Sequence, residues 1–132
     1  ESVQRPDGGW GERCNTYDDP VFKGQGPSTA SQTAWAVMGL CAFDDPDRPS
    51  VKRGIEYLIR TQNTDGSWTE HETTGTGFPR VFYLKYDIYR NAWPLLALAT
   101  CRNLLTRPSL QTAPEVNGQL LNLPETLQAP AR

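Results

Sequence analysis

Two stretches of the chain repeat hydrophobic residues at the spacing of an amphipathic helix. In residues 50–62, where Ser50 is a candidate N-cap, the stripe consists of Val51, Ile55, Leu58 and Ile59. In residues 29–43, where Thr29 is a candidate N-cap, it consists of Ala30, Ala34, Val37, Met38 and Cys41. Turn-forming sequences follow both stretches, so the pattern predicts two separate helices.

A third stretch, GFPRVFYLKYDIYRNAWP at residues 77–94, is dense in aromatic side chains. Pro79 suits the first position of a helix, which would run towards Arg102 and be kinked or restarted at Pro94. Because no stretch shows the alternation of a strand, the predicted fold class is all-α. At about 100° per residue, one stripe of this third helix would carry Phe82, Tyr86, Tyr89 and Trp93.

The chain contains an internal repeat with an offset of 58 residues. QRPDGGWGE at residues 4–12 matches QNTDGSWTE at residues 62–70, and AWAVMGL at 34–40 matches AWPLLAL at 92–98. Each unit of a helical repeat needs neighbours to bury its hydrophobic faces. Since the chain holds fewer than two complete units, we expect it to be a piece of a longer protein.

Composition and charge argue against several classes of function. A net charge of −2 without a run of like charges offers no surface for nucleic acid. His71 is the only histidine, and Cys14, Cys41 and Cys101 lack Cys-x-x-Cys spacing, so we expect no metal, no cofactor and no disulfide framework. The cysteines are interpreted as small apolar fillers in a reducing compartment.

The remaining segments bear on domain organisation. No apolar run reaches the roughly 18 residues that a membrane-spanning helix needs. Residues 106–132 carry several prolines among Leu, Gln and Thr and show no sustained helical stripe. They are predicted to form a disordered tail, which leaves residues 1–105 as the structured segment.

Three motifs together resemble those of a known family. GPSTASQTAWA at 26–36, RGIEYLIRTQNTDGSW at 53–68 and GTGFPRVFYLKYDIYRNAWP at 75–94 occur in the order that the family has them. The second of these resembles the repeat called the QW motif. Residues 4–105 are thereby similar to the C-terminal end of bacterial squalene–hopene cyclases.

That resemblance implies an enzyme of α/α barrels (α6/α6 type) built from QW repeats, which cyclises squalene to pentacyclic hopene or hopanol through a carbocation cascade. It also implies a peripheral or monotopic position on the cytoplasmic face of a membrane, and is compatible with a homodimer. The family's catalytic acid lies in a D-x-D-D motif, which is missing from this sequence. DDPD at residues 44–47 has a different spacing and is interpreted as a solvated loop. The chain alone is therefore expected to be inactive.

Site residues follow from the resemblance by motif position. It implies that Phe78 and Phe82 stabilise late cations, and that Tyr83, Tyr86 and Tyr89 line the same pocket. Aromatic faces stabilise a cation without the nucleophile that would quench it. An aromatic stripe at helical spacing is also typical of an ordinary core, which is the alternative interpretation.

The repeated Gln and Trp residues, Gln4, Trp10, Gln62 and Trp68, are interpreted as structural. Gln62 would hydrogen-bond backbone groups at a helix end, and Trp68 would stack on its amide. Stacking of Trp10 and Trp68 on sugar rings is the alternative. Asn91 departs from the pattern expected in some relatives, which bears on local packing.

Two other classes of protein are alternatives for the whole chain. A protein prenyltransferase β subunit shares the α/α barrel, but it needs an Asp/Cys/His zinc site that this sequence does not offer. A helical-repeat fragment without catalytic function is the second alternative. Detection of pentacyclic product from the isolated chain would exclude the second.

Overall fold

A computed structural model of the chain describes residues 2–43 and 46–106. In chain order the elements are two 3₁₀ turns, Cys14–Tyr17 and Pro20–Phe22, helix α1 (Ala30–Cys41), helix α2 (Pro49–Thr61), strands β1 (Gly75–Phe78) and β2 (Phe82–Leu84), and helix α3 (Tyr89–Thr106). Helix α1 packs against both α2 and α3.

The first predicted helix is confirmed, together with its cap. Thr29 Oγ1 accepts a hydrogen bond from the Gln32 backbone N–H at 3.3 Å. This satisfies one of the N–H groups that the first turn of a helix leaves unpaired. The predicted stripe faces the core: Met38 is half-buried, and the buried members are Ala30, Ala34, Val37 and Cys41.

The second predicted helix is also confirmed, but its start and its buried face differ from the prediction. Arg48 is the N-cap and Pro49 the first helical residue, so the prediction of Ser50 as the cap was wrong. A proline in this position begins a helix without losing a hydrogen bond, because the first N–H groups have no partner within the helix. Leu58 is buried whereas Ile59 is 60% exposed, so the buried face is narrower than the sequence stripe.

The third predicted helix was wrong over its first ten residues, whereas the prediction of an all-α fold is confirmed only in part. Residues 75–84 form an antiparallel two-stranded sheet, and α3 begins only at Tyr89. Pro79 lies at the hairpin turn and not at the start of a helix. Its fixed φ suits both positions, so the residue alone does not distinguish them. The chain is mostly helical with one small sheet, and Pro94 lies inside α3 without ending it.

The core is formed by residues of the three helices together with two tryptophans from the segments between them and before them. It includes Trp10, Ala34, Val37, Val51, Leu58, Trp68, Ala97 and Cys101. Cys41 and Cys101 are buried with their sulfurs 3.0 Å apart, and both are free thiols. Burial, followed by the hydrogen bond with Cys41, raises the pKa of Cys101 to about 12, which keeps it protonated. The interpretation as apolar fillers holds for these two, whereas Cys14 is only half-buried.

Some predictions concern residues outside the described part of the chain. The predicted tail, beyond residue 106, lies outside it, as do two aspartates of the DDPD segment. Within residues 2–43 and 46–106, no helix has the length and apolar character to cross a membrane. In the same ranges, no group of three or more His, Cys, Asp and Glu side chains could hold a metal ion.

Candidate functional site

The two Gln-to-Trp segments fold into matching turns, here called the first Gln–Trp turn (residues 4–10) and the second Gln–Trp turn (residues 62–68). In the first, Gln4 Nε2 donates to the Gly8 carbonyl at 2.9 Å. In the second, Gln62 Nε2 donates to the Gly66 carbonyl at 2.9 Å. Both glycines have positive φ, at 90° and 85°, a conformation that costs glycine little. The internal repeat is therefore also a repeat of local hydrogen bonding.

Each turn is attached to the helix that follows it through the backbone N–H of its tryptophan. Trp10 N–H donates to Thr33 Oγ1 at 3.0 Å, and Trp68 N–H donates to Asn91 Oδ1 at 3.0 Å. Thr33 and Asn91 are themselves 58 residues apart. Asn91 departs from the expected pattern, but its amide oxygen accepts the bond that the Thr33 hydroxyl accepts in the other copy.

The second Gln–Trp turn also joins α2 and α1. The Trp68 side chain is fully buried, and its indole N–H donates to the Leu58 carbonyl in α2 at 2.8 Å. Glu70 follows the turn, is 8% exposed, and accepts hydrogen bonds from the Ser31 backbone N–H and hydroxyl at 2.9 and 2.7 Å. A carboxylate at the start of α1 is favoured by the helix dipole. The bond to the helix end comes from the tryptophan, not from Gln62 as the sequence suggested.

Residues 75–84 form what we call the aromatic hairpin. Its strands pair Gly75 with Leu84 and Phe78 with Phe82, and the register shifts at Gly77. This shift is a β-bulge, a feature that often redirects side chains beside functional sites. The Phe82 ring lies directly over Gly77, where an added Cβ would overlap ring atoms. Phe78 and Phe82 pack edge to face with ring centroids 5.6 Å apart, and are 64% and 43% exposed.

The hairpin turn is tight and has an unusual residue at its tip. Val81 N–H donates to the Phe78 carbonyl at 3.1 Å, which closes a four-residue turn. Pro79 and Arg80 are its central residues, and Arg80 has a φ of 64°. Proline followed by a residue with positive φ is typical of a type II turn, which usually has glycine at the second position. Arg80 also forms an ion pair with Asp18, which ties the tip to the preceding part of the chain.

A second aromatic group, which we call the tyrosine–tryptophan cluster, lies where α3 begins. Tyr86 and Tyr89 have ring centroids 5.0 Å apart. Tyr89 packs edge to face against Trp93 in α3 and against Trp35 in α1, each at 6.0 Å. Trp35 and Trp93, which are equivalent in the repeat, also contact each other at 6.0 Å. Tyr89 is therefore held from two helices.

The structure divides the predicted helical stripe into these two groups. Phe82 lies in β2, Tyr86 lies in the connection, and only Tyr89 and Trp93 share a helix. Tyr83 alternates with Phe82 along β2 and pairs across the sheet with Thr76, so its side chain leaves the opposite face of the strand. The phenylalanines lie on one hairpin, and the tyrosines 86 and 89 lie together at the start of α3.

Sequence reasoning missed Gly77 and Trp35 as contributors to these groups and assigned Asn91 only to local packing. Gly77 gives room for the Phe82 ring, and Trp35 packs on Tyr89 from another helix. Asn91 holds the first turn of α3 to Trp68. The signal for Asn91 was present in the repeat, because both members of the Thr33 and Asn91 pair carry a side-chain acceptor.

Comparison with known proteins identifies what this arrangement belongs to. The sequence profile of the squalene–hopene cyclase C-terminal domain matches residues 1–103. A squalene–hopene cyclase of Bradyrhizobium diazoefficiens is 55% identical over 78% of the chain, and that of Alicyclobacillus acidocaldarius is 50% identical over 74%. A dammaradiene synthase of Dryopteris crassirhizoma is 51% identical over 75%. The chain covers only 15–16% of the length of these relatives.

Proposed function

The chain belongs to the squalene–hopene cyclase family, as a C-terminal segment, and on that basis we propose that it forms the aromatic cation-stabilising wall of a longer enzyme. That enzyme, here called the parent cyclase, would convert squalene to pentacyclic hopene or hopanol through a carbocation cascade. The acid that protonates the first alkene would lie outside this segment. The similarity to a dammaradiene synthase is in keeping with a wall that serves cations common to several products.

The observation that carries this proposal is the exposed Phe78 and Phe82 pair on the hairpin. A hydrocarbon cation can neither bind a metal nor accept hydrogen bonds, so it needs negative potential from groups that do not react with it. Each aromatic face contributes about 0.5–2 kcal/mol of attraction to a cation, the more so where water is excluded. Edge-to-face packing leaves the two rings at 68° to each other, so that their faces point in different directions. Such a pair can present a face to charge that moves along the substrate.

Tyr86 and Tyr89 would line the same pocket in supporting roles, whereas Tyr83 leaves the face of β2 opposite to Phe82 and is not assigned to that pocket. Tyr86 is 47% exposed, whereas Tyr89 is half-buried between Trp35 and Trp93. A ring packed on several sides keeps its position when the substrate changes shape. We therefore assign Tyr89 to shaping the pocket and Tyr86 to contact with the substrate.

The Gln–Trp turns would be the QW repeats of the family and would act structurally. Gln4, Gln62 and Trp68 bond to backbone groups of their own turns or of α2, and the Trp10 N–H donates to the Thr33 hydroxyl of α1. These bonds support packing over sugar binding. We propose that these turns join helices of an α/α barrel in the parent cyclase. A position on the cytoplasmic face of a membrane, and a homodimer, are further proposals that rest on family membership alone.

The test is the product spectrum of the parent cyclase carrying Phe82→Ala. We expect a larger share of prematurely terminated, less cyclised products in gas chromatography, because a late cation loses its stabilising ring. Phe22→Ala is a matched control: Phe22 is 39% exposed and lies in the other copy of the repeat, so its loss should leave the products unchanged. An unaltered profile for Phe82→Ala would remove Phe82 from the pocket. The isolated chain should give no product.

A further inference from the structure

We propose that Asn91 is a positioning residue for Tyr89, acting through its hydrogen bond to the Trp68 backbone. The proposal rests on the function proposed above, and it assigns a role to a residue that lies in α3, outside the aromatic hairpin. Asn91 is the third residue of α3, and Tyr89 is the first. Because both lie in one turn of helix, a bond that fixes Asn91 also fixes the backbone from which the Tyr89 ring projects.

The anchor for this turn is Trp68, the last residue of the second Gln–Trp turn. Trp68 N–H donates to Asn91 Oδ1 at 3.0 Å, and Arg90 donates to the Trp68 carbonyl. The same Trp68 is fully buried, and its indole bonds to the Leu58 carbonyl of α2. The backbone N–H and carbonyl of Trp68 thus bond to two consecutive residues of α3, Asn91 and Arg90. The start of α3 is fastened to α2 through a single tryptophan.

The other restraint on Tyr89 comes from α1. Its ring packs edge to face on Trp35 at 6.0 Å, and Glu70, two residues after Trp68, holds the start of α1 through Ser31. Trp68 and Glu70 together therefore connect to α3, which carries Tyr89, and to α1, which carries Trp35. If the bond from Asn91 is lost, the first turn of α3 can fray, since the ends of helices have the fewest internal hydrogen bonds. The Tyr89 ring would then lose its fixed direction.

The repeat provides an isosteric pair of variants for the test. Thr33 reaches the Trp10 N–H with its hydroxyl at the equivalent place, so Asn91→Thr can keep an acceptor there. Asn91→Val has the shape of threonine but no acceptor. In the parent cyclase we expect Asn91→Val to raise the ratio of incompletely to fully cyclised products about fivefold, and Asn91→Thr to stay near the unsubstituted enzyme. Equal ratios for the two variants would overturn the proposal.

A double-mutant cycle separates positioning from general loosening. If Asn91 acts through Tyr89, Asn91→Val should add nothing to the product ratio of Tyr89→Ala, whereas additive effects would contradict the mechanism. Thr33→Val removes the same bond from the first copy; it should lower the melting temperature without changing the products. Should Asn91→Val not accumulate as folded protein, Asn91→Ser and Asn91→Ala make the same comparison with smaller side chains.

A readout without catalysis keeps this test independent of the proposed function. If the unsubstituted parent makes no cyclised product, the proposed function fails, and the near-ultraviolet circular dichroism of the aromatic rings then tests the positioning alone. A spectrum that changes with Asn91→Val and not with Asn91→Thr supports the role of Asn91. Identical spectra for the two variants overturn it.

Discussion

Residues 13–28 and residues 71–86 occupy the same place in the two copies of the repeat, yet they are built differently. Each segment follows a Gln–Trp turn and precedes a helix whose tryptophan, Trp35 or Trp93, lies at the helix interface. The first segment contains two 3₁₀ turns and the second contains the aromatic hairpin. The Gln–Trp turns and the helices that follow them, here called the repeated frame, are alike in the two copies. The segments between turn and helix differ.

Hydrogen bonds tie the first segment to neighbouring parts of the chain. Glu12 accepts from the Gly24 backbone N–H at 2.7 Å, and the Tyr57 hydroxyl of α2 donates to the Ser28 carbonyl at 2.9 Å. The second segment instead presents Phe78 and Phe82 to its surroundings. The residues equivalent to these phenylalanines in the first copy of the repeat are Pro20 and Gly24. Under the function proposed above, the duplicated bonds would serve stability and the diverged side chains would serve the chemistry.

The largest expected effect is on stability and concerns Trp68 in the repeated frame. Trp68→Ala should destabilise the protein by about 3–5 kcal/mol, because it empties the space of a fully buried tryptophan and removes the indole bond to α2. Calorimetric unfolding of the parent cyclase would measure the loss as a lower melting temperature. Trp68→Phe, which keeps a ring, should cost less. If Trp68→Ala lowered the melting temperature no more than a substitution at an exposed residue such as Val21→Ala, the stabilising role of Trp68 would be contradicted.

The next effect concerns the hairpin and should appear in products more than in stability. Gly77→Ala places a methyl group where the Phe82 ring lies, so the ring must move, and we expect about a fivefold shift towards incompletely cyclised products. Gly75→Ala is a control in the same strand, since the nearest atom to its added Cβ is the Tyr17 hydroxyl at 4.0 Å. If both substitutions gave the same products, the position of the Phe82 ring would not matter to the reaction.

How far the sequence predicted the fold depended on the length of each periodic pattern. Helices α1 and α2 repeat their hydrophobic residues over three turns, and Thr29 marks the start of α1, so both could be found. The strands of the hairpin have four and three residues, too few for alternation to be seen. Helix-like spacings of four, three and four residues connect Phe82 to Tyr86, Tyr89 and Trp93, and Pro79 was compatible with either structure.

The candidate site was predictable in its residues and not in its geometry. Phe78 and Phe82 were chosen because the motif around them resembles that of a family, and their functional role stays a prediction. Nothing in the spacing of these residues predicted that they would face each other across a hairpin, because that contact depends on a bulge at Gly77. The role of Asn91 depended on a contact with a residue 23 positions earlier in the chain. Contacts of that kind arise from tertiary packing, which local patterns do not encode.

The smallest expected effect concerns the bond that holds residues 13–28 to α2. Burial, followed by the charge of Asp7 and two further carboxylates, raises the pKa of Tyr57 from 10.0 to about 12. Because this folded-state pKa lies above the unfolded value, the stability it contributes is complete below pH 10.0 and is lost as the pH rises through about 12. Tyr57→Phe should therefore flatten the alkaline fall in melting temperature by a few degrees, whereas Tyr17→Phe, at an exposed tyrosine of the first segment, should not. Parallel curves for Tyr57→Phe and the unsubstituted protein would mean that the first segment is held by its other bonds, and the contrast between the two segments would then rest on their side chains alone.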